Sequence, residues 1–181
     1  VAYMQSFVDY WLNKYDWRAH QERLNSFPQF VAQIDEHRIH FIHQVGNGPS
    51  PMPLVLTHGW PGSVVEMLKI IPLLTDPAAH GGDPADAFTV IAPSIPGYGF
   101  SSRPANRGTN VFVVADLWAK LMTGLSYPRF GVQGGDWGSW ISAATALRHP
   151  ERIVGLHLNY LSTRFRPALG SNDAPLSAAE E

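Results

Sequence analysis

From residue 53 onward, short apolar runs alternate with helix-periodic segments, and this alternation constrains the fold more than any other feature. Pro53–Thr57, Phe88–Pro93, Phe130–Gln133 and Ile153–Tyr160 are compact runs of strand length. Between them, 111–125 repeats Val114, Trp118, Leu121 and Leu125 at helical spacing, and 137–148 reads as another helix. A further helix is expected after Ser63, which with Glu66 forms a capping box; Met67, Leu68 and Ile71 supply its inner face. Strands separated by helices predict an α/β domain: a mostly parallel sheet with helices on both faces. Pro53–Thr57 is too apolar for an edge. The stretches 75–87 and 94–110, rich in Gly, Pro and Ser or Asp, are loops.

The first 45 residues read differently. Met4, Phe7, Val8, Trp11, Leu12 and Tyr15 form one helical stripe, expected to face the core. Residues 17–27 make a more polar helix ending before Pro28. Residues 30–34 and 38–45 are strand-like, joined by a turn at 35–37, with Ile39, Phe41 and Val45 on one face. After Tyr160 the periodicity is lost.

Charge and composition remove several functions. Thirteen Lys+Arg against fifteen Asp+Glu, with no long basic run, leave no footprint for nucleic acid. The absence of Cys excludes a disulfide scaffold, a thiolate nucleophile and Cys-ligated metal. No apolar run reaches the roughly 20 residues of a membrane span, and no signal segment opens the chain. The first residue is Val1, so the natural start is expected upstream. A cytoplasmic location is the expectation; an upstream signal or anchor, any membrane contact and a homo-oligomer stay open.

Gly134-Gly135-Asp136-Trp137-Gly138-Ser139 lies between a strand and a helix. A nucleophile presented on a sharp strand-to-helix turn needs small residues two before and two after it. Gly134 and Gly138 satisfy that, and Asp136 holds the nucleophile position; Ser139 and Ser142 lie further along the helix. A carboxylate is ionised at neutral pH and can attack sp³ carbon, forming an alkyl ester on the enzyme. Hydrolysing that ester requires an activated water and an oxyanion hole. His58-Gly59-Trp60-Pro61-Gly62-Ser63, directly after the first strand, is the candidate hole. Pro61 has no N–H, so the donor there is the Trp60 amide, paired with that of Trp137; the Trp60–Pro61 bond is a candidate for cis. Taken alone, Asp136 could be a helix N-cap and HGWPG a plain turn. Together, in this order and each after a strand, they read as one site.

At these residues the sequence resembles the epoxide hydrolases of the α/β-hydrolase superfamily, in the branch containing the microsomal and juvenile-hormone enzymes and bacterial relatives. Asp9–Phe30 is similar to that branch's N-terminal wrapping segment, HGWPGS to its oxyanion motif, GGDWGS to its elbow, and Pro96–Ser101 (PGYGFS) to a more widely shared turn. The resemblance implies an α/β-hydrolase core, incomplete at its C-terminal side. It divides the chain into a wrapping segment (1–45), the first part of the core (46–163), and a tail or lid beginning (164–181). Asp136 becomes the attacking carboxylate, while Trp60 and Trp137 donate backbone N–H groups. His58, Gly59, Pro61, Gly134, Gly135 and Gly138 support the motifs, His58 as a brace of the loop. A small-molecule epoxide is the implied partner; no cofactor and no metal are implied.

Such enzymes also carry lid tyrosines and, later in the chain, an acid and a His that activate water. After Asp136 only His149 and His157 occur. His149 stands roughly 20 Å along the helix at 1.5 Å per residue, and His157 reads as packing within a strand. The general base and its acid partner are therefore not in this chain, which reads as a piece cut at both ends. Alone it is expected to be alkylated once at most, and repeated turnover by residues 1–181 would refute this. Two rivals stand beside the epoxide hydrolase. A haloalkane dehalogenase also uses an elbow Asp followed by Trp, but usually carries Asn or Glu at the place of Trp60. A non-catalytic hydrolase-like binding protein would keep the fold without turnover. His80, Asp83 and Asp86 share one loop, but its flexibility argues against a metal site.

Overall fold

The computed structural model describes residues 1–160. The 164–181 segment set apart above lies outside them. Two helices, α1 (Ala2–Asn13) and α2 (Trp17–Asn25), precede a hairpin of β1 (Gln29–Ile34) and β2 (His37–Gln44). Asp16 caps α2, accepting from the Ala19 N–H at 3.1 Å. Then follow β3 (Met52–Thr57), α3 (Ile70–Thr75), β4 (Phe88–Pro93), α4 (Val111–Gly124), β5 (Phe130–Gly134), α5 (Trp137–Arg148) and β6 (Ile153–Leu158).

The strands make one six-stranded sheet in the order β1-β2-β4-β3-β5-β6. The three pairs among β4, β3, β5 and β6 are parallel, and the hairpin joins β4 antiparallel. Alternation along the strands separates two cores. Phe41, Val55, Ile91 and Val132 face α4 and α5, packing on Trp118, Leu121 and Ile141. Ile42, Leu56, Val90 and Ala92 face the other way, onto Val64, Leu68 and Ile71. Helices cover both faces, as an α/β chain requires.

Three expectations from the sequence change. The helix after Ser63 is broken into a 3-10 turn, Val64–Met67, and α3. A continuous helix would bury Pro72 in its interior, where its missing N–H breaks the ladder; the break puts Pro72 in the first turn of α3, where it is tolerated. The capping box is correspondingly half made, since the Ser63 hydroxyl accepts from the Val65 N–H at 3.3 Å. The stripe of α1 does not face the core: no residue of that helix is buried, and Trp11 is 63% exposed. Finally, Val45 lies beyond β2 and is exposed, while Ile39, Phe41 and Ile42 show β2 buried on both faces as an interior strand.

Candidate active site

The site forms where β3 and β5 end side by side. Their register pairs Thr57 with Gly134, so the chain segments that follow, 58–62 and 135–137, emerge together. Carboxyl ends of parallel strands are where open α/β sheets bind ligands. The Trp118 indole N–H donates to the Thr57 hydroxyl at 3.1 Å, tying α4 under the end of β3.

Asp136 occupies the N-cap position of α5, yet its side chain makes no capping bond. Its backbone is left-handed, φ 50° and ψ −125°, a conformation that costs on the order of 1–3 kcal/mol for a residue with a Cβ. The turn that forces it has no room for side chains. A Cβ at Gly134 would strike the Gly138 carbonyl, and one at Gly138 the Thr57 carbonyl. The strained bend swings the carboxylate off its own helix and across to the neighbouring loop, where Oδ1 accepts from the Trp60 N–H at 2.9 Å. Gly59 lets the two segments close, since a Cβ there would lie 2.6 Å from both Cβ and Oδ1 of Asp136. Trp137 opens α5, and the first amides of a helix have no acceptor within it. The Trp60–Pro61 peptide is cis. Gly135 lies against the Asn159 carboxamide.

His58 is 1% exposed beneath this loop. Its Nδ1 donates to the Gly59 carbonyl at 3.0 Å and its Nε2 accepts from the Ile95 N–H at 3.1 Å. Burial pushes its pKa below the ordinary range, opposed by the Gly59 hydrogen bond and the Glu66 charge. Neither nitrogen is free to take a proton from water. The remaining histidines after Asp136 sit elsewhere. His149 lies beyond the far end of α5, its Nε2 2.9 Å from Asp116, which Arg148 also grips with two bonds. His157, expected to pack, is exposed on β6, the last strand of the sheet.

A cleft of about 510 Å³ opens over Asp136, bounded by Trp60, Glu66, Met67, Ile70, Asn159 and Tyr160. Two of these polar groups escaped the sequence reading. Glu66 looked like a helix cap, but its carboxylate lies against Gly62 at the cleft. Asn159 carried one usable signal, its place directly after a strand next to β5. His80, Asp83 and Asp86 remain apart from the cleft; the Asp83 carboxylate accepts from the Ala85 N–H at 2.8 Å. Among the described residues, no group of three or more His, Asp or Glu could hold a metal ion.

Two family models match the chain. "Epoxide hydrolase N terminus" covers residues 1–67, and "alpha/beta hydrolase fold" covers residues 52–174. A protein of Stigmatella aurantiaca is 49% identical over 160 residues, 88% of this chain and 36% of its own length. Epoxide hydrolase 1 of Oryctolagus cuniculus is 46% identical over 161 residues, 87% of this chain and 35% of that protein. The chain thus spans about a third of the length of these relatives. The crystal structure of juvenile hormone epoxide hydrolase from Bombyx mori superposes with a TM-score of 0.77 at 37% identity, covering 86% of this chain and 41% of that one. Aspergillus niger epoxide hydrolase also gives 0.77, at 34% identity, covering 99% of this chain and 46% of its own.

Proposed function

Because this chain belongs to the alpha/beta hydrolase fold family, with an epoxide hydrolase N terminus ahead of that fold, we propose that it opens epoxides to vicinal diols through a covalent ester on Asp136. The observation that carries this is the 2.9 Å bond from the Trp60 N–H to Asp136 Oδ1, made by a carboxylate that does not cap its own helix. With Oδ1 held, Oδ2 is left to attack. It forms a bond to one ring carbon as that carbon's bond to the epoxide oxygen breaks, and the oxygen leaves as an alkoxide that takes up a proton. Water, deprotonated by a base, then adds to the carboxyl carbon of the ester. The electron pair moves onto Oδ1, to which the Trp60 N–H already donates; the second donor to that charge, in this reading, is the Trp137 amide at the start of α5. Collapse expels the diol oxygen, which takes up the proton that the base had removed from water, and restores the carboxylate.

We assign the base to none of the histidines described above: His58 is bonded at both nitrogens, His149 lies at the far end of α5 from Asp136, and His157 is exposed on β6 and absent from the cleft lining. The names of the similar proteins support the choice of an epoxide over a haloalkane. Both chemistries pass through an alkyl ester, so products decide between them. A single turnover of styrene oxide in H₂¹⁸O, by the protein expressed from its whole reading frame, should place ¹⁸O in the Asp136 peptide and leave the first diol unlabelled. Label appearing directly in that first diol would overturn the ester, and halide release from a matched haloalkane without diol formation would overturn the substrate class.

A further inference from the structure

We propose that His58 is a positioning residue whose imidazole aims and polarises the one peptide unit facing Asp136; this rests on Asp136 being the nucleophile. The two ring nitrogens work in opposite senses. A backbone N–H can only donate, so the Ile95 amide 3.1 Å from Nε2 makes that nitrogen the acceptor. In a neutral imidazole the proton then sits on Nδ1. Nδ1–H donates to the Gly59 carbonyl at 3.0 Å. That carbonyl and the Trp60 N–H belong to the same planar amide, and this bond is trans, so the two groups point in opposite directions. Fixing the carbonyl on the histidine side therefore fixes the N–H on the Asp136 side, where it meets Oδ1 at 2.9 Å. A carbonyl that accepts a hydrogen bond also makes its own amide N–H a stronger donor.

The post from which His58 works is itself tied into the sheet. Ile95 follows β4, and the preceding Ser94 N–H donates to the His40 carbonyl on β2 at 2.8 Å. The Ser94 side chain is held in turn by His40 Nδ1 at 2.9 Å, and His40 Nε2 reaches Gln29 on β1 at 2.9 Å. Tyr98 packs edge-on against the His58 ring, centroids 5.3 Å apart. A line of bonds thus runs from the N-terminal hairpin, through two buried imidazoles, to the donor that faces the nucleophile. Burial favours the neutral ring that this wiring needs.

The chemistry assigns this device to one step. During alkylation the carboxylate loses negative charge, so a well-aimed donor at Oδ1 helps little. During ester hydrolysis charge grows on Oδ1, and a misaimed donor is felt in full. Deleting such a donor outright costs about 10²–10³ in rate; misaiming it should cost about tenfold or somewhat more.

The test compares His58→Phe, which fills the ring volume without either bond, and His58→Gln with the parent protein, each from the whole reading frame. Rapid quench with intact-mass detection, using styrene oxide, separates ester formation from ester decay. The expected result is a tenfold or greater fall in ester decay with a smaller fall in formation, so the adduct accumulates, His58→Gln lying between. A purely structural role would lower both rates together, or neither, and that outcome overturns the proposal. If the variants fail to fold, ¹⁵N spectra of the parent imidazole decide: a proton on Nδ1 and none on Nε2 is expected, and the reverse tautomer or an imidazolium at neutral pH refutes it. If the parent never forms an adduct at Asp136, the nucleophile reading has failed, while the tautomer measurement still judges the wiring.

Discussion

The entries to α4 and α5 are built from similar residues and used in opposite ways. At the first, Asn110 takes an extended backbone and its Oδ1 accepts from the amides of Phe112 and Val113 at 3.0 and 3.2 Å. At the second, Asp136 is left-handed and its carboxylate accepts nothing from its own helix, where only its carbonyl is used, by the N–H and hydroxyl of Ser139 at 3.0 and 2.7 Å. One junction spends its side chain on stability, the other withholds it and stores strain. The difference shows how a site can be recognised physically: a short acceptor at a helix start that serves another loop is available for chemistry.

The largest test of this contrast is functional. In the protein expressed from its whole reading frame, Asp136→Ala should abolish the ester adduct by intact mass and lower turnover by about 10⁴-fold or more, whereas Asn110→Ala should leave turnover unchanged. Next comes the elbow itself. Gly138→Ala drives a Cβ into the Thr57 carbonyl and should destabilise by about 3 kcal/mol in denaturant titration; a loss under 1 kcal/mol would mean the turn is looser than drawn. Smaller again are the two caps. Asn110→Ala should cost about 1 kcal/mol, while Asp136→Gly, relieving the φ of 50°, should stabilise by about 1 kcal/mol, read as opposite shifts in melting temperature.

The smallest expected effect is in pH. Burial lowers the pKa of His58, His40 and His43 below the ordinary 6.5. The unfolded chain therefore binds more protons than the folded one just below pH 6.5, so stability is complete above that value and declines as pH falls through it. The Asn110→Ala decrement involves no titrating group of its own and should stay constant across that range. A stability that rises on acidification from pH 7 would contradict the burial of these rings.

The core order of strands and helices was legible because buried parallel strands are nearly continuous apolar runs, and Pro53–Thr57 and Phe88–Pro93 meet that description. The elbow and its facing loop were legible because close backbone approach permits only glycine at Gly134 and Gly138. What misled were patterns that name an element but not its neighbours. The stripe of α1 correctly marks a helix, yet periodicity cannot say what covers it, and in the described residues nothing buries it. Ser63 and Glu66 had capping-box spacing, but Pro72 downstream overrode it. Asn159 joined the cleft through strand adjacency, which is a property of the sheet and not of the local sequence.

The donor and the acceptor that define the cleft are separated by 76 positions in the chain. They meet only because β3 and β5 zip in one register ending at Thr57 and Gly134. A shift by a single residue would turn the side chains that follow to the opposite face. No half-finished version of the cleft exists while the polypeptide is being synthesised: Trp60 must wait until the β5 elbow has been made and docked. The nucleophile and the donor that faces it should therefore meet late in folding and in one step, with closure of this long-range pairing as its clock.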